Sequence, residues 1–218
     1  MSTIVQRRPG RPASEEIRTR RREEILDAAC KLFAEHGYSE AATQALADVL
    51  QVGKGTIYRY FATKEELFLA AVDRVMHRMK QAVDARLAGV DEPFARMARA
   101  IEAYLEFFAQ QPEFVELLIQ ERAQFKDRKK PTYFEHRDVN VVRWQELFRS
   151  LIAAGRVRDV PVERITDVIS DLVYGTMFTN YFAGRMRSPR EQARDILDIA
   201  LNGVLSDRER QGICRDDK

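Results

Sequence analysis

The chain has 218 residues, 45% of them hydrophobic and 32% charged, with a formal net charge of +2. That balance describes a globular protein and excludes a disordered chain. The longest uncharged run, Leu172 to Gly184, is too short and too polar to span a bilayer. No N-terminal apolar segment has the form of a secretion signal. The two distant cysteines, Cys30 and Cys214, fit a reducing cytoplasm better than a disulfide scaffold.

In chain order, residues 1–19 form a basic arm: Arg7, Arg8 and Arg11 all precede the first acid, Glu15. Such an arm suits a polyanion partner and equally suits a solvated tail. A helix is expected from near Arg20, because Ile25, Ala29, Leu32 and Phe33 make one apolar stripe, with Gly37 placed to end it. A short helix follows with Leu46, Ala47 and Leu50 on its inner face, then the stretch Gln51-Val-Gly-Lys-Gly-Thr-Ile-Tyr-Arg-Tyr-Phe61. Thr63-Lys-Glu-Glu66 and Thr132-Tyr-Phe-Glu135 read as capping boxes, and Ser188-Pro-Arg-Glu191 adds proline at the first helical turn. Pro112 marks a helix beginning at Glu113, and Asp91 before Pro93 and Asp159 before Pro161 suggest two more. The last helix is expected to end near Ser206, leaving residues 207–218 as a charged tail. No strand alternation stands out, so an all-α protein of about nine helices is expected.

The Gly-Lys-Gly-Thr at 53–56 raises two phosphate chemistries. A nucleotide P-loop needs an earlier glycine and a preceding buried strand. Here Val49, Leu50, Gln51 and Val52 precede Gly53, and the upstream segment is helical, so an ATP-using enzyme is disfavoured. A helix-turn-helix accounts for the same residues: Thr43 to Leu50, a turn at Gln51-Val52-Gly53, then Lys54 to Phe61, packed through Leu46, Ala47, Val52, Ile57 and Phe61. The open face of the second helix would enter a major groove. Lys54, Tyr58 and Tyr60 suit phosphate oxygens, Gly55 permits close approach, and Thr56, Arg59 and Gln44 suit base edges.

Residues 22–68 carry "LFAEHGY", then "LA" and the pattern V-x-K-G-T-x-Y-x-Y-F, then "KEEL" opening a long helix. In this ordered set the segment resembles the DNA-binding domain of the TetR/AcrR family of bacterial transcriptional regulators. The resemblance implies DNA contacts from Thr43 and Gln44 in the first helix of the unit and from Lys54, Gly55, Thr56, Tyr58, Arg59 and Tyr60 in the recognition helix. It implies a phosphate contact from Lys64. Three positions depart from the family pattern: Ala41-Ala42 where a capping Thr or Ser is usual, Gln51 where a turn glycine is common, and Gly53 where a capping serine is common. A non-glycine residue in a left-handed turn costs about 1 kcal/mol, and a missing cap costs about as much. Arg7 to Pro12, "RRPGRP", suits a narrow minor groove as readily as a solubilising tail.

From Phe68 onward basic and acidic residues nearly balance, and large side chains accumulate. Most of these belong to a core. The resemblance implies a small-molecule pocket among the central helices, for which Tyr104, Phe108, Trp144, Phe148, Met177 and Tyr181 are the expected lining, with Asn140 and Asn180 as polar handles. An aromatic lining favours a hydrophobic or planar effector. The last two helices, about 162–182 and 189–205, carry apolar residues on two faces: Ile165, Ile169, Leu172 and Thr176 on one, Val168, Gly175 and Thr179 on the other. In the family, these helices pair with their copies in a homodimer. The histidines at 36, 77 and 136 have no metal-ligand spacing, and no nucleophile–base set presents itself.

The reading is therefore a non-enzymatic, cytoplasmic, homodimeric repressor with no cofactor, no metal and no membrane partner. Its domains are expected at 20–67 for DNA binding and 68–206 for ligand binding and dimerisation. It would bind a palindromic double-stranded DNA operator, and a hydrophobic or aromatic small molecule would release it by tilting the helix that starts at Lys64. A helical small-molecule-binding protein without sequence-specific DNA binding is the alternative.

Overall fold

Residues 13–36 contain neither proline nor glycine, and a helix runs unbroken through them. The structure, a computed structural model, describes residues 12–204. The arginines of the 7–11 arm, Ser206 and Cys214 lie outside the described residues. Helix α1 spans Pro12–Glu40, so it begins well before Arg20. Proline is accommodated at a first helical position because its missing N–H has no partner there anyway. At Gly37 the backbone reaches φ 75°, ψ 161°, a conformation open to glycine, and α1 kinks there before a last turn to Glu40.

The described residues form nine α-helices and no strand. After α1 come α2 (Thr43–Val49), α3 (Lys54–Tyr60), α4 (Lys64–Leu87), α5 (Pro93–Gln110), α6 (Glu113–Gln124), α7 (Thr132–Ala153), α8 (Val162–Ala183) and α9 (Pro189–Asn202). Among these residues no helix is long and apolar enough to cross a membrane.

The caps differ from the sequence reading in instructive ways. At α4 the expected box forms: Glu66 N–H donates to Thr63 Oγ1 at 3.0 Å, and Ala62 N–H donates to Glu66 Oε2 at 2.7 Å. At α5 the cap is Glu92, whose carboxylate accepts from Ala95 N–H at 2.7 Å, and not Asp91. Pro131 and Pro161 occupy the cap positions of α7 and α8, so Thr132 is already helical and Asp159 lies outside its helix. In both cases the fixed proline φ supplies the entry conformation that a capping side chain would otherwise select. Ser188 does cap α9 by position, ahead of Pro189, but makes no side-chain cap bond. Helix α9 ends at Asn202, short of the expected Ser206, because Gly203 takes φ 74°.

The chain divides into two compact units. Among described residues the first comprises the chain up to Val75 together with Glu116–Lys129; the second comprises Met76–Val115 and Lys130 onward. In the first, Ile25, Leu26, Ala29 and Phe33 of α1 meet Leu46 and Ala47 of α2, Ile57 of α3, and Phe61, all buried. Phe33, Phe68, Tyr38 and Phe125 form an aromatic cluster with ring centroids 5.0–6.1 Å apart. Arg74 of α4 grips Asp27 of α1 through two hydrogen bonds of 2.7 and 3.0 Å. The thiol of Cys30 donates to Ala71 O, as a buried cysteine on a helix face does. In the second unit α5 packs on α9 and α8, and α7 packs on α8. Each large apolar side chain removed from water there contributes about 1.5–3 kcal/mol.

Candidate DNA-binding face and ligand cavity

The turn between α2 and α3 closes by two backbone bonds. Val52 N–H reaches Ala47 O at 2.9 Å and Gln51 N–H reaches Asp48 O at 3.1 Å. This is a Schellman closure, which requires a left-handed residue just beyond the helix. Gln51 takes that place at φ 52°, the sole positive φ outside glycine among the described residues. The sequence departure at Gln51 thus marks a strained turn, not a different one. The residues capping α2 and α3, Ala42 and Gly53, are both extended and neither helix has a side-chain cap bond. No serine-type oxygen stands at either helix start, so the first-turn N–H groups gain no capping bond from it.

Ile57 is fully buried and sets the orientation of α3. With that side inward, Lys54, Gly55, Tyr58 and Arg59 are exposed, and Thr56 and Tyr60 are half-buried. Lys54 Nζ lies 5.8 Å from the Tyr58 ring centre, and the Arg59 guanidinium lies 5.7 Å from that of Tyr60. From α2, Gln44 is exposed and donates to Asp48 Oδ1 at 2.8 Å. Thr43 is buried, with its hydroxyl 3.5 Å from the Tyr58 hydroxyl, a distance at which a hydrogen bond is weak. Lys64 is held by Ser39 O at 3.0 Å and stacks over the Tyr38 ring at 5.0 Å, which fixes its head at the start of α4. The nine residues singled out in the sequence are therefore drawn from α2, α3 and the first residue of α4, with Thr43 turned inward.

The second unit holds a cavity of about 170 Å³ that opens to solvent. Helix α5 offers it Met97, Ala100, Ile101 and Tyr104, and α8 offers Thr166, Ile169, Ser170 and Val173. Both sets follow the i, i+3, i+4, i+7 spacing of a single helix face. Met76, Met79, Lys80 and Val83 of α4 and Tyr133, Arg137, Asn140 and Trp144 of α7 face it too. Val141, Arg143 and Phe148 complete the α7 side. Of the eight residues expected from the sequence, Tyr104, Asn140, Trp144 and Phe148 line it.

The other four are placed elsewhere. Phe108 is one turn beyond Tyr104 on α5, packed on Phe107 and Tyr104 with centroids 5.2 and 5.1 Å apart. Met177 is one turn beyond Val173 on α8, and its sulfur accepts from the Tyr104 hydroxyl at 3.2 Å from behind. Asn180 exchanges two hydrogen bonds with Gln192 of α9, at 2.9 and 2.8 Å, and so joins helices instead of facing a ligand. Tyr181 packs against Phe182, with centroids 5.5 Å apart. The faces of α5 and α8 are as expected, but the cavity lies one turn closer to their N-terminal ends. The α4 methionine stripe, Met76, Met79 and Val83, was the sequence signal that would have located it.

Electrostatics inside the cavity are set by a few groups. Tyr104 O–H and Tyr133 O–H are 3.2 Å apart. Burial, with smaller contributions from Tyr133 and Tyr174, pushes the Tyr104 phenol well above its ordinary value, and burial also raises Tyr133 to about 12. Both phenols are therefore neutral hydrogen-bonding groups. Asp84 receives Arg143 Nη1 at 2.6 Å and also pairs with Lys80. Burial pushes its carboxyl up, but these two hydrogen bonds outweigh that and hold it below the ordinary carboxylate value.

Known proteins resemble both parts of the chain. The family model described as bacterial regulatory proteins, tetR family, matches residues 25–71. The model of the tetracyclin repressor-like C-terminal domain matches residues 90–204. The transcriptional regulator HbdR of Aromatoleum sp. (strain CIB) is 32% identical over 84 residues, 38% of this chain and 37% of its own length. The chain thus matches well under half of that regulator. The transcriptional repressor AcnR of Corynebacterium diphtheriae is 28% identical over 189 residues, covering 85% of this chain and 92% of its own. Among solved structures, the transcriptional regulator FadR of Bacillus subtilis in complex with stearoyl-CoA has a TM-score of 0.69 at 17% identity, over 84% of this chain and 99% of its own. That likeness bears on the fold alone. With one model on the helix-turn-helix segment and the other on more than half of the chain, this protein belongs to the TetR family of bacterial transcriptional regulators.

Proposed function

We propose that the chain is a homodimeric repressor that occupies a palindromic operator and leaves it when a hydrophobic small molecule fills the cavity of the second unit. The observation that carries the reading is the exposed face of α3, where Lys54, Gly55, Tyr58 and Arg59 present charge, a close-approach glycine and a phenol around a helix anchored by Ile57. Lys54, Tyr58, Tyr60 and Lys64 would hold phosphates; Thr56, Arg59 and Gln44 would read base edges. The apolar cavity supports a small-molecule effector. The relatives are transcriptional regulators, and a role on DNA in the cytoplasm accords with that class.

Dimer formation is supported by a stripe on α8. Val168, Leu172, Gly175 and Thr179 recur at i, i+4, i+7 and i+11, and all four are exposed. Such a face loses apolar surface to water unless a partner covers it. Ile199 and Leu201 of α9 are exposed as well. A two-fold dimer through α8 and α9 would set two recognition helices about one DNA turn apart, roughly 34 Å. Effector binding would then favour a spacing that does not fit the operator, and only its differential affinity for the two spacings drives release.

Selection of binding sites from random-sequence DNA tests this. The expected product is an inverted repeat, bound by the native chain and lost in the Tyr58→Ala, Lys54→Ala double variant without loss of helicity. No enriched sequence would favour instead a small-molecule-binding protein that has lost DNA recognition, and retained binding in that variant would move the DNA contacts off the exposed face of α3.

A further inference from the structure

The cavity wall holds three cations, Lys80, Arg137 and Arg143, and no carboxylate. The compensating acids stand behind it. Arg137 is served by Asp167 at 2.7 Å, with Asp171 3.9 Å away. Lys80 and Arg143, in contrast, share the single carboxylate of Asp84. Two cations on one anion leave a net positive charge at that end of an otherwise largely apolar chamber. Arg143 is also incompletely bonded. Its guanidinium lies 5.3 Å from the Trp144 ring centre, and its Nε is buried with no hydrogen-bond partner. A buried guanidinium N–H without an acceptor is uncommon and calls for one.

The room within the cavity suits one ring of whatever supplies that acceptor. At about 170 Å³ it is close to the engineered apolar cavity of about 150 Å³ that admits benzene. Met76, Met79, Val83, Ile101, Trp144 and Phe148 give walls suited to a ring, and the neutral phenols of Tyr104 and Tyr133 do not repel an anion.

We propose that the site takes a small organic monoanion, a carboxylate on an apolar body about the size of one six-membered ring, whose oxygen accepts from the Arg143 guanidinium beside Lys80. This rests on the reading of the cavity as an effector site and adds the charge, the size and the anchoring residue. Arg143 is then a ligand-binding residue, and Asp84 positions it through the hydrogen bond it accepts from Nη1.

The chain contains one tryptophan, and it is Trp144 in the cavity wall, so its fluorescence reports occupancy in the unlabelled full-length protein. The probes are benzoate, its neutral counterpart benzyl alcohol, and biphenyl-4-carboxylate, with calorimetry as a second readout. Benzoate is expected to bind about 10- to 100-fold more tightly than benzyl alcohol, the value of one charge-assisted hydrogen bond. Biphenyl-4-carboxylate is expected to bind more weakly than benzoate. In Arg143→Gln the benzoate-to-benzyl alcohol ratio should fall to near one, and Arg143→Lys should restore only part of it. If Arg143→Gln fails to fold, Lys80→Met gives the same ratio test. Equal binding of benzoate and benzyl alcohol, or a ratio unchanged in Arg143→Gln, overturns the anion assignment while leaving an effector cavity in place. No binding of any probe overturns it too. The effector reading itself fails separately, when no compound that binds the protein releases it from DNA.

Discussion

Replacing Gly55 by alanine separates two roles that a recognition-helix residue can have. Gly55 is exposed, and a Cβ built on it meets nothing within 4 Å; its φ is not in the left-handed range. In the protein alone nothing therefore opposes alanine, and helix propensity favours it by about 0.5–1 kcal/mol. For a chain of this size that is a rise in Tm of roughly 1–4 °C. If Gly55 faces a DNA backbone, the same methyl group fills the space the phosphate needs, and affinity should fall at least about tenfold, or 1.4 kcal/mol. The assay pairs urea unfolding at fixed protein concentration with fluorescence anisotropy on a selected operator. Higher stability with weaker DNA binding is the expected result. Alanine that binds DNA as tightly as glycine would refute the placement of Gly55 at the interface, and a destabilised variant would refute the helical geometry assigned to it.

Four further outcomes are expected. Ala42→Ser supplies the missing acceptor at the start of α2, whose cap position is already extended at φ −86°, ψ 130°, and should stabilise by about 1 kcal/mol in the same urea titration. Arg59→Ala should relax base preference in a competition assay, whereas Lys54→Ala should weaken all sequences alike and reduce the dimer's salt slope by about two, roughly 0.9 for each of the two copies. Leu172→Glu places a charge on the exposed α8 stripe and should shift the sedimentation equilibrium toward monomer; an unchanged dimer would move the interface elsewhere. For pH, the Asp84 carboxyl has a folded-state value below its unfolded one, so its contribution is present above the unfolded value, about pH 4, and is lost as pH falls through the lower folded value. Asp84→Asn should accordingly lower stability at neutral pH and flatten the acid limb of the profile, with the slope of the neutral region unchanged.

Much of this was legible in the residues. Ile57 and Phe61 at helical spacing, Gly37 after an amphipathic run, and the Thr63–Glu66 box are local signals, and each is realised in the structure. Gln51 was legible as a strain because the turn demands a left-handed residue whatever occupies it. The start of α1 lies earlier than the apolar stripe indicates, because residues 13–24 carry Ile17 as their one large apolar side chain and so show no stripe. Pro131 and Pro161 displaced the caps expected of Thr132 and Asp159. The cavity was only half legible. Aromatic residues drew attention to Phe108 and Tyr181, while Met76, Met79 and Arg143 were missed, since charge and flexible side chains look like surface and filler in a linear sequence. Which turn of a buried helix faces an empty space depends on what the opposite helices fail to fill, and no single-segment pattern encodes that.

Anisotropy of the full chain on its selected operator, across a salt series, reads sequence-selective DNA binding by a dimer. Neutralisation of about four phosphates by two copies of Lys54 and Lys64 predicts a log–log slope of roughly −4 or steeper, together with preference over a scrambled duplex. A slope near zero, or the same affinity for operator and scrambled DNA, would contradict the account.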